Sequence, residues 1–385
     1  MSVTRKILTL LAFPAFLLGL PLIGIGISGQ PVTDFLVFPP RPELIENRPF
    51  SWTVFAGMAL FIVVVTGPFV KRHVQYWRSP HSFGRFDMKA RNSQTSYPFP
   101  WWGWGGLMLL ALSWLLAWTR FEWFAAYQEH TFSPLWISYV IVVNAVFYKR
   151  KGWSLMSHYP LFLVGLALTS AVFWWFFEYL NQFVNNWYYT EVANMKDTYY
   201  FLQATIPFAT VLPAVLSTTL LLLSFPCFSR PFRFKRNFSA LSSGYLWSFI
   251  GIVAAVSLSA IAIYPQILFP LIWVSPVILW ITLQKWRHYT NPFLKRVQHG
   301  DWTFIWVSAM AALLCGFFWE MWNFYSLSQW IYSVPWVQTT HIFEMPLLGY
   351  AGYLPFGLEC IVIADSLTKA LDSKFDFNTI LADQN

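Results

Sequence analysis

The chain has 385 residues, of which 57% are hydrophobic, 21% are aromatic and only 11% are charged, and its formal net charge is +8. Soluble domains carry about 25% charged residues, so this composition excludes a cytosolic globular enzyme, a disordered chain and a secreted disulfide scaffold. The three cysteines, Cys227, Cys315 and Cys360, lack the C-x-x-C spacing of zinc and redox motifs. The composition therefore predicts an integral membrane protein.

Hydrophobic stretches recur along the whole chain. A helix needs about 20 apolar residues to cross about 30 Å of hydrocarbon, and ten stretches approach that length. We place them at about residues 7–28, 51–70, 101–118, 132–148, 160–181, 206–226, 245–264, 267–284, 302–325 and 343–364. The sequence thus predicts an all-α, polytopic integral membrane protein with about ten transmembrane helices. A signal peptide is the alternative for the first stretch, because Arg5 and Lys6 precede it.

Lysine and arginine concentrate in alternate loops. With ten spans, 21 of the 25 fall on the side that holds both termini. Cytoplasmic loops carry such an excess, so the pattern predicts a multi-pass protein of the cell (inner) membrane with both termini in the cytoplasm, and it does not indicate a nucleic-acid partner. The densest cluster lies in the 71–95 loop, which is predicted to contact lipid head groups. A docking surface for a protein partner is the alternative for this loop.

A short motif occurs twice in the chain. Glu178 and Glu320 each follow a run of Phe and Trp, and each is followed three residues later by an asparagine, Asn181 or Asn323. Both motifs lead into a segment rich in Trp and Tyr and then to a proline 35 residues after the glutamate. The shared order of these features predicts an internal repeat. Similar composition of Trp- and Phe-rich helices is the alternative explanation.

The repeat divides the chain into three predicted parts. An N-terminal two-helix unit with the basic loop covers residues 1–95, a first four-helix repeat covers 96–240, and a second four-helix repeat with the buried acids covers 241–385. Because each repeat has an even number of spans, both are predicted to enter the membrane with the same orientation.

Acidic residues within apolar stretches are costly in a membrane and are therefore functional candidates. Glu359, Glu320 and Glu344 are the candidate catalytic acids of the second repeat. Glu359 follows a segment, 346–357, with two prolines and three glycines, and such helix breaks are tolerated at membrane depth beside a cavity. A carboxylic acid kept neutral in an apolar pocket can donate a proton. A structural hydrogen-bond role is the alternative for Glu359.

Aromatic side chains accompany these acids. Their ring faces attract cations, and protonation of an olefin followed by carbocation cyclisation needs both an acid and such surroundings. Aromatic belts at the membrane surfaces and helix packing are the alternative explanation for these rings. The candidate substrate-binding residues are Asn323, Trp319, Trp330, Tyr332, Tyr350, Tyr353, Glu178 and Asn181.

The sequence carries no familiar cofactor or metal motif. It contains no P-loop, no dinucleotide-binding glycine motif and no haem attachment motif. His341 precedes Glu344 by about one helical turn, but the other histidines are scattered along the chain. We therefore expect neither a cofactor nor a metal ion.

The second repeat contains three segments with a recognisable pattern, Trp319-Glu320, Trp330-Ile331-Tyr332 and the run from Gly352 to Glu359. In these segments it resembles the membrane lycopene cyclase domain family of carotenoid biosynthesis. The resemblance implies an acid-triggered, cofactor-independent cyclisation or isomerisation of a long polyene or isoprenoid lipid, with Glu320 and Glu359 as the matching acids. Ser217 takes the position of Glu359 in the first repeat, which implies activity in one repeat only.

The sequence therefore predicts a membrane protein that binds a hydrophobic isoprenoid or polyene lipid, and the enzyme class it favours is a cyclase or isomerase. Its expected partners are membrane lipids and a hydrophobic small molecule. Two alternatives stay open. One is a non-enzymatic subunit that binds pigment, quinone or lipid within a larger complex, and the other is a small-solute transporter, which a duplicated bundle with a broken helix also suits.

Overall fold

The computed structural model describes residues 3–42, 44–45, 47–79, 96–192, 195–234, 237–289 and 291–377. The longer helices are α1 (Val3–Ile27), α2 (Trp52–Arg78), α3 (Trp101–Trp118), α4 (Phe132–Lys151), α5 (Pro160–Val184), α6 (Asp197–Phe208), α7 (Val211–Leu223), α8 (Gly244–Ala260), α9 (Ser275–Trp286), α10 (Thr303–Asn323) and α11 (Tyr353–Ala370). Shorter helical turns lie at Val32–Phe35, Glu122–His130, Leu155–His158, Pro226–Ser229, Ser239–Ser242, Pro265–Leu268, Phe269–Trp273, Pro292–Gln298 and Leu347–Gly352. Four short strands are described, β1 (Trp187–Tyr189), β2 (Trp330–Tyr332), β3 (His341–Ile342) and β4 (Met345–Pro346).

Many of these helices are long and apolar enough to cross a membrane. Seven such helices lie among the described residues, with α6 and α7 counted as one, and the bent pair Pro265–Trp273 and Ser275–Trp286 would make an eighth. The axes of the two segments of that pair are bent by 51° relative to each other. Two further apolar helical segments are shorter, Ala12–Ile27 within α1 and Gly244–Ala260, which is α8. The predicted all-α, multi-pass membrane architecture is thus confirmed at this level.

Several predicted boundaries were wrong. Helix α2 continues to Arg78, so Lys71 and Arg72 lie on a helix and not in a loop. Residues 73–78 of the predicted 71–95 partner loop lie on the same helix, and residues 80–95 lie outside the described residues. The predicted sixth stretch, 206–226, belongs to a longer span that begins at Asp197 and is interrupted between α6 and α7.

Two prolines explain where α7 and α11 begin. Pro213 and Pro355 each lie in the first turn of their helix, where the missing N–H removes no helical hydrogen bond. The predicted tenth stretch, 343–364, therefore starts with the turn after β3, the strand β4 and a 3₁₀ turn, and it becomes an α-helix only at Tyr353.

The interior is built from helix pairs. Helix α10 packs along α11 and α7, α3 packs along α4, and α8 packs along α9. Gly357 allows the close approach of α11 to α10, because a β-carbon there would overlap the backbone carbonyl of Ser308. Small residues commonly permit such contacts between membrane helices.

A two-stranded antiparallel ribbon joins two distant parts of the chain. In β1 and β2, Trp187 pairs with Tyr332, Tyr188 with Ile331, and Tyr189 with Trp330. Side chains alternate between the two faces of a strand, so one face of the ribbon carries four aromatic side chains. These are Trp187, Tyr189, Trp330 and Tyr332, which we call the ribbon aromatics.

Candidate functional site

The ribbon is held in place by the two asparagines of the repeated motif. At the end of α10, Asn323 donates through Nδ2 to the carbonyl of Trp330 at 2.7 Å, and its Oδ1 accepts from the backbone N–H of Trp330 at 2.9 Å. At the end of α5, Asn181 donates to the carbonyl of Trp187 at 2.7 Å and accepts from the N–H of Asn186 at 2.9 Å. Both asparagines are fully buried. They therefore fix the backbone of the ribbon against the helices.

Glu178 is surrounded by hydrogen-bond donors. Its Oε1 accepts from the indole of Trp174 at 2.8 Å and from the hydroxyl of Tyr189 at 2.5 Å. The indole of Trp187 lies 3.2 Å from each carboxylate oxygen. An indole N–H can only donate, so this arrangement suits an ionised carboxylate, whose oxygens only accept.

The two carboxylate oxygens of Glu320 differ in their hydrogen bonding. Its Oε1 accepts from the hydroxyls of Tyr332 at 2.8 Å and Tyr353 at 2.7 Å. The indole of Trp330 donates to the hydroxyl of Tyr332 at 2.9 Å and so extends this network. The other carboxylate oxygen of Glu320, Oε2, is buried and has no hydrogen-bond partner among the described residues. Hydrogen bonds from the described residues thus fix one carboxylate oxygen of Glu320 but not the other.

The tyrosine hydroxyls of the ribbon remain protonated. Burial raises the pKa of Tyr189 well above its ordinary value, and the neighbouring Glu178 raises it further. Burial and the charge of Glu320 act in the same way on the pKa of Tyr332. Both hydroxyls are therefore hydrogen-bond donors to the carboxylates over the whole physiological pH range.

A large cavity lies against the ribbon. Its volume is about 1280 Å³, and its lining includes all four ribbon aromatics together with Trp319 and Tyr353. Most of the other lining side chains are apolar, and the lining that the structure describes contains no lysine or arginine. Besides tyrosines, its ionisable side chains are Glu129 and His130. Glu178 and Glu320 lie behind the aromatic side chains that line it.

Helix α2 forms one wall of the cavity and is anchored near both ends. The N–H of Ser51 donates to the carbonyl of Trp336 at 2.9 Å, and the Arg72 guanidinium donates to the carbonyl of Pro231 at 2.9 Å. Between these anchors, Phe61 and Val65 line the cavity but are still 69% and 50% exposed. The cavity therefore opens to the surroundings beside α2.

Glu359, the foremost predicted acid, lies elsewhere. It lines a separate cavity of about 50 Å³ together with residues of α1, α5 and α9. The glutamate is buried, and neither carboxyl oxygen has a hydrogen-bond partner in the part of the chain that the structure describes. The backbone N–H of Val277 approaches it without completing a hydrogen bond. The structure thus separates Glu359 from the large cavity and from Glu320.

The remaining predicted site residues take different places. Trp319 stacks on Tyr353, with ring centroids 5.9 Å apart. Glu344 lies in the turn between β3 and β4, half-buried and close enough to interact electrostatically with Glu320. Tyr350 donates from its hydroxyl to the carbonyl of Ile342 at 3.0 Å and is not part of the cavity lining.

Sequence analysis missed three residues of this site, Trp174, Trp187 and Tyr189. The signal that would have found them was the repeat itself, because Trp187 and Tyr189 occupy in the first copy the places of Trp330 and Tyr332 in the second. Comparisons with known protein families, with characterised proteins and with solved structures gave no match for this chain.

Proposed function

We propose that this chain is a multi-pass membrane protein that binds a long-chain hydrophobic lipid of the isoprenoid or polyene kind in the large cavity. The observation that carries the proposal is the size of that cavity together with its apolar, aromatic lining. Pockets for drug-sized ligands measure about 300–1,000 Å³, and a volume of about 1280 Å³ suits a longer molecule. The polar end of such a lipid would lie at the ribbon aromatics, where the hydroxyls are.

The opening beside α2 supports access from the membrane. Phe61 and Val65 face both the cavity and the surroundings, so a lipid could enter sideways without crossing water. A transporter for small polar solutes would instead need a polar, water-filled route. The apolar lining favours the lipid.

We also propose that all ten apolar stretches span the membrane as an N-terminal pair and two four-helix repeats, with both termini in the cytoplasm. Glu178 and Glu320 have the same role towards the ribbon, and so do Asn181 and Asn323. The register of the ribbon supports a twofold relation between the repeats, because the first residue of β1 pairs with the last of β2. Labelling of single cysteines placed in successive loops, from either side of sealed vesicles, tests this topology.

Lipid binding is tested by extracting and analysing lipids from the purified protein. A Gly352→Leu variant should lower the amount of co-purified lipid, because Gly352 lines the cavity, has ordinary helical angles and leaves a β-carbon about 3.6 Å from its nearest neighbour. Gly105→Leu is the matched control, since a β-carbon there meets nothing within 4 Å and the residue is exposed. Equal lipid content in the wild type and both variants would contradict the proposal.

Acid-initiated conversion of the bound lipid is a second candidate function, favoured by one observation. Tyr353 lines the cavity and its hydroxyl donates to Glu320. When Glu320 is protonated, Tyr353 could pass a proton to an olefin and take the proton of Glu320 in return, and the carboxylate so formed would accept the proton that the carbocation loses on ring closure. Glu359 is not suited to this role, because its cavity of about 50 Å³ cannot hold a polyene. Expression in cells that make lycopene, followed by pigment analysis, should give a new product with the wild type and none with Glu320→Gln or Tyr353→Phe.

A further inference from the structure

We infer that the ligand of the large cavity carries a positive charge, an ammonium group of the quaternary or protonated kind, seated against the ribbon aromatics. The inference rests on the proposed function, because it keeps a long-chain lipid in the large cavity, and it replaces the neutral isoprenoid or polyene by a lipid whose polar end is cationic. Three features support it, namely the rings, the carboxylates behind them and the distribution of cationic side chains.

The rings are arranged on one surface. Two tryptophans and two tyrosines project from the same face of the ribbon and line the cavity. The faces of such rings carry negative charge density, and groups of them recognise quaternary ammonium ions. Trp319 and Tyr353 extend this aromatic surface along the cavity.

Each ring is connected to a buried carboxylate. Trp187 and Tyr189 donate directly to Glu178. Tyr332 donates directly to Glu320, and the indole of Trp330 donates to the Tyr332 hydroxyl. Hydrogen bonds in a chain polarise one another in a medium of low dielectric constant. A donor bonded to an anion gains electron density in its ring, so all four rings become better partners for a cation.

These carboxylates have no compensating cation among the described residues. Neither Glu178 nor Glu320 forms an ion pair with any described lysine or arginine, although the chain carries a net charge of +8. The described lining of the cavity also lacks both residue types. Buried charges are ordinarily paired. A cationic ligand would supply the missing charge, and the buried, unpartnered Oε2 of Glu320 indicates that the site is incomplete without one.

The same charges exclude other polar ends. A lipid phosphate without a cationic group would be repelled by Glu178, Glu320 and Glu129, which lines the cavity. A neutral polyene would fill the space but would leave the carboxylates uncompensated. The geometry therefore favours an ammonium group, carried either by a membrane lipid with a choline-type head group or by a single-chain amphiphile.

The experiment compares two probes of equal shape on the full-length protein in maltoside detergent. One is dodecyltrimethylammonium, and the other is its neutral isostere with a quaternary carbon in place of the nitrogen. We expect the cation to bind at least about tenfold more tightly, as measured by calorimetry and by quenching of tryptophan fluorescence. Glu320→Gln should remove most of that difference and leave the neutral probe unaffected.

Further variants protect the test against loss of folding. Trp330→Leu removes a ribbon ring and should weaken binding of the cationic probe but not of the neutral one. Trp101→Leu removes a tryptophan that is 85% exposed on α3 and should leave the affinity for both probes unchanged. Nanodiscs of phosphatidylcholine should compete with the probe if the natural ligand is a choline lipid, and nanodiscs of phosphatidylglycerol should not. If neither nanodisc competes, the cation is a single-chain amphiphile.

The possible failures are distinguishable. Equal affinity for the charged and the neutral probe would overturn the cationic ligand and leave the proposed lipid binding intact. Failure of both probes to bind, together with the absence of co-purified lipid, would overturn both. A cation preference that Glu320→Gln does not alter would also contradict the inference, because the preference would then come from another part of the molecule.

Discussion

Tyr353 fills the space that a β-carbon on Gly316 would occupy. This contact lets the hydroxyl of Tyr353, which belongs to α11, reach Glu320 on α10 at 2.7 Å. In the first copy of the motif, the residue four positions before the glutamate is Trp174, whose own indole donates to Glu178. A donor from the same helix thus serves one glutamate, and a donor from the neighbouring helix serves the other.

Replacing Gly316 by alanine should displace Tyr353 and destabilise the protein. The added methyl group overlaps the ring, and overpacking of a filled interior costs about 1–3 kcal/mol. Thermal unfolding in detergent measures the effect. Gly105→Ala on α3 is the control and should not destabilise, because alanine favours a helix over glycine and nothing lies near that position. If Gly316→Ala costs as much in a Tyr353→Ala background as in the wild type, the contact with the ring is not the cause.

The two glutamates should respond differently to replacement by glutamine. In Glu178→Gln, the amide NH₂ replaces one of the two oxygens that lie 3.2 Å from the Trp187 indole N–H. Two donors then face each other, and the NH₂ is left without an acceptor. That loss amounts to about 1–3 kcal/mol. In Glu320→Gln, the amide oxygen can still accept from Tyr332 and Tyr353, and the NH₂ takes the place of the unpartnered Oε2. A smaller loss of thermal stability is expected for Glu320→Gln, and the reverse order would contradict the hydrogen-bond assignment.

The asparagines should control the order of the ribbon. Asn323→Ala removes the two hydrogen bonds to Trp330, and Asn181→Ala removes those to Asn186 and Trp187. Faster hydrogen exchange is expected across both strands in either variant, because β1 and β2 pair with each other. Asn185→Gly is the control, since the Asn185 side chain donates only to the carbonyl of Gln182 and glycine keeps the left-handed backbone angle of 47° without strain. Exchange that changes in one strand alone would show that the strands do not depend on each other.

Much of this architecture could be predicted from the sequence, and the reason is physical. A helix needs a long apolar stretch to cross the hydrocarbon, so the spans can be recognised in the sequence. The repeated Glu-x-x-Asn motif indicated Glu320 and Asn323 as site residues. The separation of Glu359 from the large cavity was not predictable, because it depends on how α11 packs against α1, α5 and α9. Local sequence also does not specify the pairing of β1 with β2, since the register is set by two asparagines on different helices.

Glu359→Leu should leave the protein as stable as the wild type or make it more stable. Neither oxygen of Glu359 has a hydrogen-bond partner among the described residues. Leucine, which has a similar size, therefore removes a buried polar group and gives up only the approach of the Val277 N–H. The comparison is Glu320→Leu, which leaves the hydroxyls of Tyr332 and Tyr353 without their acceptor. Each buried donor without a partner costs about 1–3 kcal/mol. Thermal unfolding in detergent checks both variants. If Glu359→Leu destabilises as strongly as Glu320→Leu, then Glu359 holds a partner, for which its cavity has room, since one water needs only about 10–15 Å³.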